Sequence, residues 1–244
     1  NGSEVSIQAE RQRVVGHTTR NSGGVPDNFK NYFIIEFDKP FTAFYAVEDS
    51  ILHEGATSVT CDHAGAIITF STKRGEMVNA RVTSSFISLE QAERNLKELG
   101  DGNLEDVKEK GRQRWNEILG RVEVKDDNVD HLRTYYSCLY RSVLFPRSYS
   151  PYNGEARPGR MFSDTGFWDT FRALFPLVDL VYPTMGAWMQ EGLVNTWLES
   201  GFLPEWASPG HRDCMVGNNS ASVVADAYLK GLRGYDIDRL WQAV

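Results

Sequence analysis

The chain has 244 residues, a formal net charge of −7, 41% hydrophobic residues and 12% aromatic residues. That is enough apolar material for one large core or two smaller ones, and no run approaches the apolar length that spans a bilayer. No lysine-rich or arginine-rich tract supplies the electrostatic footprint that a phosphate backbone demands, so nucleic acid is not an expected partner, and Cys61, Cys138 and Cys214 lack the spacing of a zinc site or a dithiol redox motif.

Up to about residue 87, β-branched and aromatic runs are separated by glycine, proline, asparagine and aspartate, the pattern of strands joined by turns. The clearest runs are 32–37, 42–47, 58–61, 66–71 and 77–87. In the last of these Val78, Ala80, Val82, Ser84 and Phe86 alternate with Asn79, Arg81 and Thr83, which predicts a strand with the first set on its buried face. An antiparallel β-sandwich is the natural packing.

The period changes at Ser88. Ser88 and Gln91 form a capping-box pattern, and Leu89, Ala92, Leu96 and Leu99 recur at helical spacing. After Gly100-Asp101-Gly102 a charged helix carries Val107, Trp115 and Ile118 and ends at Gly120. The division expected is a sandwich domain over 1–87, a helical linker over 88–127 and a helical domain over 128–244.

From Asp130 onward every long segment reads as helix. Leu132, Tyr136, Leu139 and Val143 share one face, and Phe171, Leu174, Val178 and Val181 share another. Met189, Leu193 and Trp197 define a third helix, with Pro183 at its first turn and Gly201 at its end. Val223, Val224, Ala227 and Tyr228 make a fourth, closed by Gly231, and Asp236 caps a fifth. Two long connections, 145–167 and 202–219, are rich in aromatics, glycine and charge, where functional residues collect on a rigid helical scaffold. The chain starts at Asn1 without a methionine and stops inside an apolar helical stretch, so both ends are expected to be cut.

Three constellations could carry chemistry. In the run from Phe162 to Arg172, Trp168 beside Asp169 suits a sugar: the ring stacks on the apolar C–H face while the carboxylate accepts from neighbouring hydroxyls. The plain alternative is that Asp169 caps a helix and Trp168 is core. The run from Gly201 through Trp206, His211 and Arg212 to Asn219 holds an indole, a guanidinium and several amides, the inventory of a polyol site, although Arg212 and Asp213 could be only a surface pair. Asp226, on a largely apolar helix, reads as a structurally paired carboxylate.

Taken together these segments resemble the exo-acting α-mannosidases of glycoside hydrolase family 92. The likeness runs in order through 32–41, 84–92, Tyr140-Arg141-Ser142, Phe167-Trp168-Asp169-Thr170-Phe171-Arg172, Leu203-Pro204-Glu205-Trp206, Met215-Val216-Gly217 and 226–231. The resemblance implies a supersandwich-like domain followed by the first part of an (α/α)6 toroid, belonging to a secreted, periplasmic or cell-surface bacterial enzyme. It implies removal of terminal α-linked mannose from mannosides or N-glycans by a calcium-dependent inverting mechanism. Trp168, Asp169, Arg212, His211 and Trp206 are then the expected substrate-binding residues. The acid, the base and the main calcium ligands are expected beyond Val244, so Glu199, Glu205 and Asp226 receive no catalytic role, no metal ligand is expected in this segment, and the remaining C-terminal part of the enzyme is an expected partner. Two alternatives stand beside this one: another (α/α)6 glycosidase, such as a trehalase-like enzyme, or a carbohydrate-binding module without catalysis.

Overall fold

The structure, a computed structural model, describes residues 2–20, 25, 27–149, 159–208 and 210–244. Residues 150–158 of the first long connection and Pro209 of the second, both included in the sequence reading above, lie outside the described residues. Among those described, one compact unit runs to Asp101 and a second begins at Gly102. The stretch 88–127 is therefore shared, its first helix lying with the strands and its second with the helical unit.

The first unit contains β1 (Ser3–Gln8), β2 (Arg13–Thr18), β3 (Asn31–Phe37), β4 (Ala43–Glu48), β5 (Ile51–Glu54), β6 (Ser58–Cys61), β7 (Ala64–Thr69), β8 (Ala80–Ser85) and the helix α1 (Leu89–Leu96). The strands form two antiparallel sheets, ordered β6-β1-β2-β3-β8 and β5-β4-β7. Val5, Ile7 and Val14 of the larger sheet pack with Phe44, Ala66 and Ile68 of the smaller one, giving the unit its inter-sheet core.

The face assigned to β8 from the alternation is reversed. Val82 is 63% exposed, while Thr83, paired with the fully buried Ile34, lies on the more sheltered side. The cause is what covers each face. The smaller sheet has only three strands and does not reach β8 at the edge of the five-stranded sheet, whereas α1 packs on the opposite face, joining Ala92 to Val15 and Ile34. Buried Arg13 of β2 reinforces this docking through a 2.6 Å ion pair with Glu93 of α1. Ser88 caps α1 as its spacing predicts, accepting from the Gln91 backbone N–H. The Gln91 side chain does not complete a capping box; its amide donates to Asn95 instead.

The second unit contains α2 (Leu104–Leu119), α3 (Val129–Ser142), β9 (Arg147–Ser148), β10 (Phe162–Ser163), β11 (Thr165–Gly166), α4 (Phe167–Thr170), α5 (Leu174–Val181), α6 (Pro183–Ser200), β12 (Trp206–Ala207), α7 (Asn219–Leu229) and α8 (Ile237–Ala243). The single helix face read across Phe171, Leu174, Val178 and Val181 is broken: Phe171 caps the end of α4, and the other three lie on α5. Pro176 explains the break: it lacks the N–H that a continuous helix requires, but sits without cost in the first turn of α5. Pro183 and Gly201, the latter at φ 79°, delimit α6 as the sequence predicts, and Asp236 caps α8. Phe167, Phe175, Val178, Met189, Leu193, Val223 and Leu240 form the core, joining α4 to α8. None of the described helices is long and apolar enough to cross a membrane.

Candidate functional site

Two short ladders, too brief to be legible as strands, fix the loops of the second unit. β9 pairs with β10 and β11 pairs with β12. On either side of the second ladder the Asp164 N–H donates to the Ala207 carbonyl at 2.7 Å and the Phe167 N–H to the Glu205 carbonyl at 3.0 Å. Residues 164–167 are thus strapped to 205–207. The 205–207 segment is itself anchored by Glu205, whose carboxylate accepts from the Asn219 backbone N–H at 2.9 Å and its side-chain amide at 3.1 Å. It satisfies the start of α7, where Asn218 makes no side-chain cap bond, and its negative charge suits the positive end of that helix.

Gly166 is where the two segments meet most closely. A Cβ there would lie 2.6 Å from Trp206 Cζ3 and 3.0 Å from Asp169 Oδ2. Only a residue without a side chain lets the indole lie against the backbone with the carboxylate beside it. Asp169 is exposed and makes no hydrogen bond to another described residue, which leaves its carboxylate able to accept from a ligand. The Arg212 N–H donates to the Trp206 carbonyl at 2.9 Å, and the guanidinium carbon lies 5.8 Å from the centre of the indole.

Of the five residues singled out from the sequence, the structure therefore brings Asp169 and Trp206 together at Gly166, with Arg212 beside Trp206. Trp168 follows directly on α4, 39% exposed, with the Arg172 guanidinium 4.6 Å from its ring centre. His211 is engaged differently: its Nε2 is 2.6 Å from the Ser200 hydroxyl at the end of α6, and partial burial lowers its pKa below the usual imidazole value. The plain alternatives are not what is observed. Gly166, not Asp169, occupies the N-cap position of α4, Trp168 is not core, and among the described residues Arg212 and Asp213 form no ion pair. Asp226 is paired, as read, with Lys230 one turn along its own helix.

An indole face, an open carboxylate and a guanidinium together suit a polyhydroxylated ring: apolar C–H surface on the aromatic, and hydroxyls on the charged groups. Calcium takes six to eight oxygen ligands as a rule. Among the described residues no three His, Cys, Asp or Glu side chains converge to hold a metal ion, so these residues do not provide a carboxylate cage for calcium. Sequence reasoning gave no role of its own to Gly166, which carries no side chain to signal the close approach it permits. It also passed over Asp164 with its partners Arg147 and Tyr149, which lie 15 to 17 positions apart in the chain.

Comparison with known proteins matches this architecture. Residues 91–244 match the glycosyl hydrolase family 92 catalytic domain and residues 1–85 the family's N-terminal domain. A family GH92 inverting mannosidase from Bacteroides thetaiotaomicron has a structure similar at TM-score 0.92 and 44% identity, covering 99% of this chain and 35% of that one. A GH92 α-mannosidase from the same organism matches at TM-score 0.89 and 24% identity, again over 99% and 35%, a likeness of fold. An uncharacterized secreted glycosidase from Arthroderma benhamiae is 30% identical over 190 residues, 74% of this chain. The chain spans 22% of that relative and 35% of the two solved structures. With its N-terminal strands and its helices both matched in order, the chain belongs to glycosyl hydrolase family 92.

Proposed function

We propose that the chain is the sugar-gripping part of an enzyme that removes terminal α-linked mannose from mannosides or N-glycans. The observation that carries this reading is the close approach at Gly166, where the Trp206 indole and the Asp169 carboxylate share one spot. In this reading Asp169 accepts from two neighbouring hydroxyls of the terminal sugar, Trp206 and Trp168 offer apolar ring faces, and Arg212 donates to a further oxygen. His211, held by Ser200, borders the same loop and takes a lesser part.

The inverting course is part of the proposal and is supported by the likeness to the inverting mannosidase of Bacteroides thetaiotaomicron. Such a course needs a carboxylic acid and a carboxylate about 6.5–9.5 Å apart on opposite sides of the bond. Glu205 is committed to α7 and Asp226 to Lys230, so both groups are proposed to come from polypeptide beyond Val244, as are the ligands of the calcium ion. That polypeptide would also complete an (α/α)6 toroid around the helices present here, with the strands belonging to a supersandwich-like domain. A secreted location is part of the proposal and is supported by the likeness to the secreted Arthroderma glycosidase; the bacterial periplasm or cell surface is proposed with it, in keeping with the similarity to Bacteroides enzymes.

The test is Asp169→Asn in the full-length protein. If Asp169 grips hydroxyls more tightly in the transition state than in the ground state, kcat/KM on α-linked mannobiose falls about a hundredfold, on the order of 3 kcal/mol, with the fold intact. Unchanged kinetics would remove Asp169 from the site.

A further inference from the structure

Asp164 is the single residue between β10 and β11, where the chain leaves its pairing with β9 and takes up β12. The turn is made in the left-handed region, at φ 62°, a conformation that most L-residues avoid and aspartate tolerates. Its backbone N–H is spent on the Ala207 carbonyl at 2.7 Å. Its carboxylate, 16% exposed, is held from the other side by two donors on one oxygen: Arg147 Nε at 2.6 Å and the Tyr149 hydroxyl at 3.0 Å. The acceptor raises the pKa of Arg147, and burial raises that of Tyr149, so both stay protonated donors. One residue thus joins the segment 147–149, the corner before α4 and the strand that carries Trp206.

We infer that Asp164, clamped by Arg147 and Tyr149, is a positioning residue that sets where Gly166 and Asp169 stand relative to Trp206. The inference rests on the reading of this crevice as the sugar-gripping site. Gly166 lies two residues beyond the corner and Asp169 five, and the Thr170 hydroxyl, bonded to the Gly166 carbonyl at 2.8 Å, ties the first turn of α4 back to it. A rotation at the corner therefore carries the carboxylate and its glycine floor together. Left-handed backbone at such a place persists because its surroundings over-determine it, here through three hydrogen bonds with three partners, Ala207, Arg147 and Tyr149. The competing account is an ordinary surface ion pair, because Arg147 is 59% exposed and exposed pairs contribute little.

The experiment is a double-mutant cycle in the full-length protein with α-linked mannobiose, using Asp164→Asn, Asp169→Asn and the double variant. Asparagine tolerates the left-handed backbone, so Asp164→Asn removes the clamp's charge without forcing the corner. A misplaced contact costs on the order of tenfold to a hundredfold, expected in kcat with KM little changed. Because the clamp acts through Asp169, the double variant should be no slower than Asp169→Asn alone. Arg147→Ala, which leaves Asp164 in place, should give the same coupled loss. If the Asp164→Asn loss recurs in full in the Asp169→Asn background, or if Asp164→Asn and Arg147→Ala keep the parental kcat while lowering only the melting temperature, the positioning role is overturned. Asp169→Asn with unchanged turnover overturns the gripping reading and this inference with it.

Discussion

Asp179 on α5 gives the most quantitative expectation outside the site. It is 4% exposed, neither carboxylate oxygen is hydrogen-bonded among the described residues, and its carboxyl lies against Gly186 of α6. Burial pushes its pKa from the ordinary 3.8 up to about 6; Asp226 of α7 pushes the same way and Lys230 opposes. The Tyr235 hydroxyl near it is also buried without a partner, and its own pKa is raised by burial and by Asp179. A rise of about two units corresponds to about 3 kcal/mol. The fold favours the neutral acid, so this contribution is complete below about pH 4 and is lost as pH rises through about 6. At about pH 8 the native state then carries a cost of about 3 kcal/mol that the unfolded chain does not. Asp179→Asn keeps the shape and removes the ionisation. The variant should match the parent at about pH 4 and exceed it at about pH 8, by on the order of 5–10 °C in the thermal midpoint of the helical unit. An equal difference at both pH values, or none at the higher one, would show that Asp179 does not change its charge across this range.

Gly166→Ala should lower kcat/KM on α-mannosides and destabilise by about 1–3 kcal/mol, because the new methyl collides with the Trp206 ring. The backbone there is at φ −104°, which alanine adopts freely, so a variant with parental kinetics and melting would mean that the indole yields at no cost. Glu205→Gln should weaken the start of α7 by about 1–2 kcal/mol, read as faster hydrogen exchange at Asn219, while unaltered exchange would show that the carboxylate is not the cap.

The elements most legible in the sequence are those whose signals are local. The Ser88 cap, the proline and glycine bounding α6 and the Asp236 cap each depend on residues within one or two turns, and each is found in place. What escaped depends on partners distant in sequence. Val82 alternates like a buried residue, but its exposure is decided by how far a separate three-stranded sheet extends. β1, with only Val5 and Ile7 as strong apolar residues, is recognisable chiefly through its pairing with β2 and β6. At the candidate site the residue types were readable, because aromatics beside carboxylates suit sugars. Their meeting at Gly166 was not, since it depends on two-residue ladders between segments some 40 residues apart. Glu205 was given no catalytic role from the sequence, and its commitment to Asn219 is visible only once the loop is closed.

Whether a terminal α-mannose binds at Gly166 is decided by a crystal structure of the full-length protein with a non-hydrolysable α-linked mannobiose analogue. Two adjacent hydroxyls of the terminal ring are expected within about 2.6–3.2 Å of the Asp169 carboxylate, with an apolar face of that ring against Trp206 or Trp168. A terminal ring bound elsewhere, with Asp169 still free of ligand contacts, would contradict that placement.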